Sequence, residues 1–138
     1  SFTNISGDAI DFSGSRSLIE NVQINNIGDK GISVGEESFV TIVNSHLNNL
    51  RVGVISKDNS DVIIESSSIT NFKSYGAMSF IKKDFYSSSS SIKMKGSIVD
   101  KPLSFMRQKG TFMEIDSIEV EEQVFNVDKF YTSPIESL

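Results

Sequence analysis

Two stretches near the start of the chain almost repeat one another: FTNISGDAIDFSG from Phe2 and INNIGDKGISVGE from Ile24. A near-repeat at a spacing of 22 residues means that the chain builds one structural unit and then builds it again. Extending the alignment gives columns. Phe2, Ile24, Leu47 and Ile69 form one, with steps of 22, 23 and 22. Ile5, Ile27, Leu50 and Phe72 form a second, and Ile19, Ile42 and Ile64 a third. Ile10, Ile32, Val54 and Ala77 form a fourth, preceded by Ala9, Gly31, Gly53 and Gly76. One column carries amides, Asn4, Asn26, Asn49 and Asn71, and Ser15, Ser38 and Ser60 punctuate the turn before each new round.

Within each round the runs alternate, as in LIENVQIN and VTIVNSHLN, which is strand period and not helix period. A strand-only repeat of this length predicts an all-β chain folded as a parallel β-helix, a solenoid of about five to six coils with about 22 residues each. Leucine-rich repeats have a similar period but need a dense leucine framework, which this chain lacks. Coils stack at about 4.8 Å, so equivalent residues lie above one another and the apolar columns fill the core. The asparagines then form a ladder, Asn4, Asn26, Asn49 and Asn71, expected to bond backbone groups buried inside a turn. The plain alternative is that asparagine is a common turn residue.

After residue 80 the pattern loosens. KKDFYSSSSS, residues 82–91, reads as an inserted loop. The register is expected to resume with Ile98 in the Ile24 column and Asp100 in the asparagine place, and Ile118 joins that column in a weaker last coil. The tail, 127–138, loses the repeat and is expected to cap the last coil or fray. The whole chain, 1–138, reads as one domain. Ser1 falls within a coil, so further coils of a larger protein are expected upstream.

Formal net charge is −5, which argues against a nucleic-acid partner. No run approaches the roughly 18 apolar residues of a membrane span, so no membrane insertion is expected. There is no cysteine and therefore no disulfide framework or thiolate metal site. No cofactor is implied.

At SGDAIDFSG, NIGDKGISVGEES and GVISKDNSDVIIESSSI the chain resembles the right-handed parallel β-helix superfamily of pectate-lyase-like fold, and most closely its generic repeat modules of large secreted proteins. GAMSFIKKDFY is similar to a recurring stretch of those modules. The resemblance implies a right-handed solenoid and a secreted or cell-surface setting. It implies no chemistry here, because the superfamily holds lyases, epimerases, hydrolases, tailspikes and non-catalytic stalks. The signatures of its carbohydrate enzymes are absent, so no catalytic residue carries over.

The candidate site residues therefore come from position alone. His46, the one histidine, should point outward in a row with Gln23, Ser68, Ser97 and Ser117, as a sugar contact or an ordinary surface residue. Arg51 and Lys73 each follow a core residue and should stack on one rim with Lys30 nearby, a basic row able to grip an acidic polysaccharide. The same charges would equally suit a solvated sheet edge. Asp8, Asp11 and Asp29, with Glu36 and Glu37 further round, could pair for hydrolysis or hold calcium, or simply serve turns. Tyr75, Phe85 and Tyr86 could stack on sugar or pin the loop. The function expected from all this is a non-catalytic module, a rigid scaffold with a weak polysaccharide surface. The alternatives are a C-terminal fragment of a polysaccharide lyase, epimerase or glycoside hydrolase, or a phage or surface-fibre adhesion segment.

Overall fold

The structure, a computed structural model, describes residues 1–86, 90–101 and 104–132. Its chain winds through about five coils. The first holds β1 (Phe2–Ile5), β2 (Ile10–Ser13) and β3 (Arg16–Glu20), and the second β4 (Gln23–Ile27), β5 (Lys30–Gly35) and β6 (Phe39–Val43). In the third, β7 (His46–Lys57) runs through the corner that separates β4 from β5, and β8 (Asp61–Glu65) follows. The fourth holds β9 (Ser68–Phe80) and β10 (Ser91–Lys95), and the fifth β11 (Ile98–Val99), β12 (Phe105–Gln108) and β13 (Phe112–Ile115). The chain closes with β14 (Ile118–Glu119), β15 (Glu122–Gln123) and a short helix, α1 (Val127–Thr132).

Among the described residues, strands of successive coils pair in parallel and make two sheets, one of nine strands and one of six. The registers of the first four coils are those read from the repeat. Phe2 lies beside Ile24, Ile24 beside Leu47, and Leu47 beside Ile69. Ile10, Ile32, Val54 and Ala77 form another continuous row, and Ile19, Ile42 and Ile64 a third. From the second coil onward these residues form one buried apolar core. Glycine is needed beside the fourth row because the coils approach closely there. A Cβ on Gly31 would sit 2.8 Å from the carbonyl oxygen of Gly53 and 2.8 Å from the Leu47 side chain, a collision at both contacts.

The expected register fails after the insertion. Val99, and not Ile98, lies beside Ile69, while Ile98 sits beside Ser68 and is 68% exposed. Asp100 therefore follows the core position directly, one place before the asparagine position. The shift is fixed by Ser97, whose Oγ accepts the Ser67 main-chain N–H at 3.1 Å. Ile118 is also misplaced by the repeat. At β14 the chain reverses and pairs antiparallel with β13, leaving Ile118 73% exposed. Arg107 braces this closing hairpin, donating to the carbonyls of Thr111 and Val120 and to Glu122.

The insertion leaves the coil between Phe80 and Ser91, of which 87–89 lie outside the described residues. Asp58 anchors its start, with one carboxylate oxygen accepting from the main-chain N–H groups of Lys82 and Lys83 at 2.8 and 2.9 Å.

Of the tail expected to cap the last coil or fray, 127–138, the described part is α1, which lies along the side of the solenoid. Val127 and Phe130 pack with Val52, Ile55, Met78, Phe80 and Met106 in a second apolar cluster on the outer face of the nine-stranded sheet. That outer face is apolar in coils three to five, so it needs a cover, and a six-residue helix too short to stand alone supplies it. Residues 133–138 lie outside the described part.

Candidate functional site

Each of the first four coils turns one of its corners at an asparagine. Asn4, Asn26, Asn49 and Asn71 have φ values of 58°, 58°, 58° and 52°. This left-handed region is strained for most side chains, and asparagine is among the few that enter it readily. All four side chains are exposed. Asn26 Nδ2 donates to Asn4 Oδ1 at 3.1 Å, and Asn49 Nδ2 to Asn26 Oδ1 at 2.6 Å. At the fourth coil the ladder crosses over, and Asn71 Nδ2 donates to Asn48 Oδ1 at 2.7 Å. Asn48 belongs to a parallel row in which its own Nδ2 donates to Asn25 and it accepts from Thr70.

The asparagine ladder is thus present, but it stacks amide on amide at the surface. The job expected of it, satisfying backbone groups at the turns, belongs to serine. The main-chain N–H of Ser15 donates to Ser38 Oγ, and that of Ser38 to Ser60 Oγ. A second column does the same at another corner: Val22 N–H to Ser45 Oγ, Ser45 to Ser67 and Ser67 to Ser97, each at 3.1 Å. Serine fits because one small hydroxyl accepts from the coil before it and donates to a carbonyl of its own coil, as Ser67 does to Glu65.

A groove of about 390 Å³ follows the asparagine corner, lined by Asn4, Asn26, Asn49, Arg51 and Lys73 among others. Beside it lies a hollow of about 280 Å³ between Lys73, Ser74, Tyr75 and Phe130. Lys73 borders both.

The basic row foreseen here is mostly hidden. Lys30 and Arg51 are buried, with 5% and 4% of their surface exposed, and only Lys73 faces solvent. Lys30 Nζ lies 2.8 Å from Asp29 and 3.3 Å from Asp8, and Arg51 Nη1 lies 3.2 Å from Asp29. Arg51 also donates to the carbonyl of Phe130, and the rings of Phe130 and Tyr131 lie over Arg51 and Lys30 at 4.2 and 5.4 Å. Adjacent coils did bring these residues together, as the repeat implied, but α1 roofs them over. Sequence could not foresee the roof, because α1 lies outside the repeat.

The same geometry gives Asp8 and Asp29 structural employment as counter-ions, while Asp11 stays exposed and Glu36 pairs with Lys83 at 3.1 Å. That pairing, a hydrogen bond from Lys83 first and its charge second, lowers the Glu36 carboxyl below its ordinary range. Near α1, burial lowers the Lys57 ammonium, helped by the charge of Lys82. Burial beside Asp8 and Asp29 pushes the Tyr131 phenol well above its ordinary value. Lys57 Nζ lies 3.4 Å from that hydroxyl.

His46 is exposed on the outer face as expected, beside Gln23 and Ser68, with Nδ1 2.7 Å from Ser68 Oγ. The rest of its foreseen row does not form. Ile98 takes the place given to Ser97, and Ser117 precedes the reversed strand β14. Tyr75 is half-buried against Phe125. Phe85 is 76% exposed with its ring 4.6 Å from Tyr86.

Parallel coils of about 22 residues with polar corners in register describe this chain from Phe2 to the closing hairpin. Its sequence matches the family described as the right handed beta helix region over residues 1–127. The chain belongs to the right-handed β-helix family. No curated protein and no solved structure matches it. Membership in the β-helix family explains the scaffold and leaves the chemistry to individual side chains.

Three features of this β-helix escaped the reading of the sequence. The Ser45, Ser67, Ser97 column was present as serine before each strand but is broken by the 30-residue step from Ser67 to Ser97. The Asn25, Asn48 row sits one place before the asparagine corners and alternates with Thr70. The covering role of Phe130 and Tyr131 has no counterpart in the repeat and left no periodic signal.

Proposed function

We propose that this chain is a non-catalytic β-helix scaffold module that binds an extended polysaccharide along its asparagine corner, as part of a secreted or cell-surface protein. The observation that carries the reading is the groove along Asn4, Asn26, Asn49 and Lys73, one polar side chain from each of four successive coils. Equivalent groups recur at strand spacing, about 4.8 Å, which suits a linear polymer that presents hydroxyls at regular intervals. The groove is shallow and its amides already bond one another, so the affinity is weak. The non-catalytic part rests on the side chains at hand. His46 is paired with a serine hydroxyl, and the aspartates nearest α1 are ion-paired.

A panel of neutral, uronate and sulfated oligosaccharides tests this by calorimetry and by assays for unsaturated and reducing ends. Weak binding that is lost when Asn26 and Asn49 are both changed to glycine, without turnover, supports the reading. Glycine keeps the corner backbone and removes the amides. Binding that survives this change removes the corner from the proposal, and turnover abolished by His46→Ala overturns the non-catalytic reading.

A further inference from the structure

Two hollows meet at Lys73. Arg51 is almost wholly buried, yet among the described residues its Nε has no hydrogen-bond partner, although both terminal nitrogens do. A buried guanidinium N–H without a hydrogen-bond partner is costly, because burial removes the charged group from bulk water. In the adjoining hollow the buried Ser74 Oγ likewise has no partner among the described residues. Arg51 lines the first hollow, Ser74 lines the second, and the exposed Lys73 borders both. The carboxylate that serves this corner, Asp29, is already shared between Arg51 and Lys30. What would satisfy the two orphaned atoms and the lysine together is a small oxyanion with several acceptors in one plane or tetrahedron.

We infer that the junction at Lys73 is an oxyanion subsite, filled by a carboxylate or sulfate borne on the polysaccharide. This deepens the reading of the groove above and rests on it. Lys73 supplies the mobile charge, Ser74 Oγ a hydroxyl, and Arg51 Nε a fixed donor, while the Phe130 ring walls off the far side. The Asp29 and Phe130 bonds hold the guanidinium still, so little freedom is lost when the anion arrives. The site would favour a charge-bearing sugar over its neutral counterpart, and that preference would fade as salt is raised.

The test compares a uronate hexasaccharide with a neutral hexasaccharide of the same linkage, by calorimetry, on the native chain and on Lys73→Ala and Ser74→Ala. Lys73 is exposed, so its replacement leaves the fold intact. The uronate sugar should bind the native chain about tenfold more tightly than the neutral one. Lys73→Ala should erase that advantage, bringing the uronate sugar to the affinity that the neutral sugar has for the same variant, and Ser74→Ala should reduce it. Equal affinities of the native chain for both sugars overturn the subsite but leave the groove. If neither sugar binds, the groove reading fails and the subsite is judged by sulfate alone. The Arg51 Nε–H resonance is followed by nuclear magnetic resonance during a sodium sulfate titration, with sodium chloride as control. A saturable shift in the native chain that is absent in Lys73→Ala supports an anion site independent of glycan. No shift, or the same shift with chloride, overturns it.

Discussion

Arg51 donates from Nη2 to the main-chain carbonyl of Phe130 at 3.0 Å, across 79 positions of sequence, while the Phe130 ring lies 4.2 Å above its guanidinium. This contact joins the third coil to the helix that follows the last one. It decides the fate of the basic row, turning two of its three members into a buried ion-pair cluster.

Phe130 should therefore matter as a core residue does. Phe130→Ala opens a cavity over Val52, Phe80 and Arg51 and should cost about 3–5 kcal/mol by chemical denaturation. A loss under about 1 kcal/mol would mean that α1 is detached in solution.

The asparagine corners separate two causes. Asn49→Ala keeps a Cβ in the left-handed region and should cost about 1 kcal/mol. Asn49→Gly, which removes that strain and the exposed amide together, should stay within about 0.5 kcal/mol. Equal losses would show that the amide stack, and not the backbone, carries the stability.

Serine should outweigh asparagine. Ser67→Ala removes the acceptor for a buried N–H and the donor to Glu65, and should cost about 1–3 kcal/mol. Ser15→Ala, at an exposed hydroxyl bonded only to Ser13 among the described residues, should fall within about 0.5 kcal/mol. The same denaturation midpoints compare the two.

Alkaline titration probes the roof. The folded chain holds the Tyr131 proton to a higher pH than the unfolded chain, where a tyrosine ionises near about 10. Above that pH the unfolded state binds fewer protons than the folded state, so stability falls as pH rises. Lys57, with its folded value lowered, acts in the opposite sense, since losing its proton relieves a burial penalty. Melting temperatures at pH 8 and about pH 11 should drop less for Tyr131→Phe than for the native chain, because only the tyrosine contribution is removed. Parallel drops would place Tyr131 in solvent.

The coils were legible because stacking forces like residues into like positions, and four rounds in register left little freedom: Ile24, Leu47 and Ile69 lie where their spacing put them. Legibility ended where stacking stopped dictating position. Ile98 and Val99 are both apolar, so periodicity alone could not choose between them, and a serine hydroxyl one residue earlier settled it. Lys30 and Arg51 were correctly placed as neighbours and wrongly placed in solvent. Their burial depends on a segment that shares no period with the coils.

Stacked repeats ordinarily touch only their neighbours, so force applied along the axis can peel them off one at a time. Here α1 reaches Lys30 in the second coil, Val52 in the third, Phe80 in the fourth and Met106 in the fifth. It is a lateral brace, like a batten nailed across several boards. Detaching the fifth coil first means tearing that batten from the other three. Pulled from its ends, the molecule should therefore hold its length and then give way in one large step, and not pay out in a staircase of single coils.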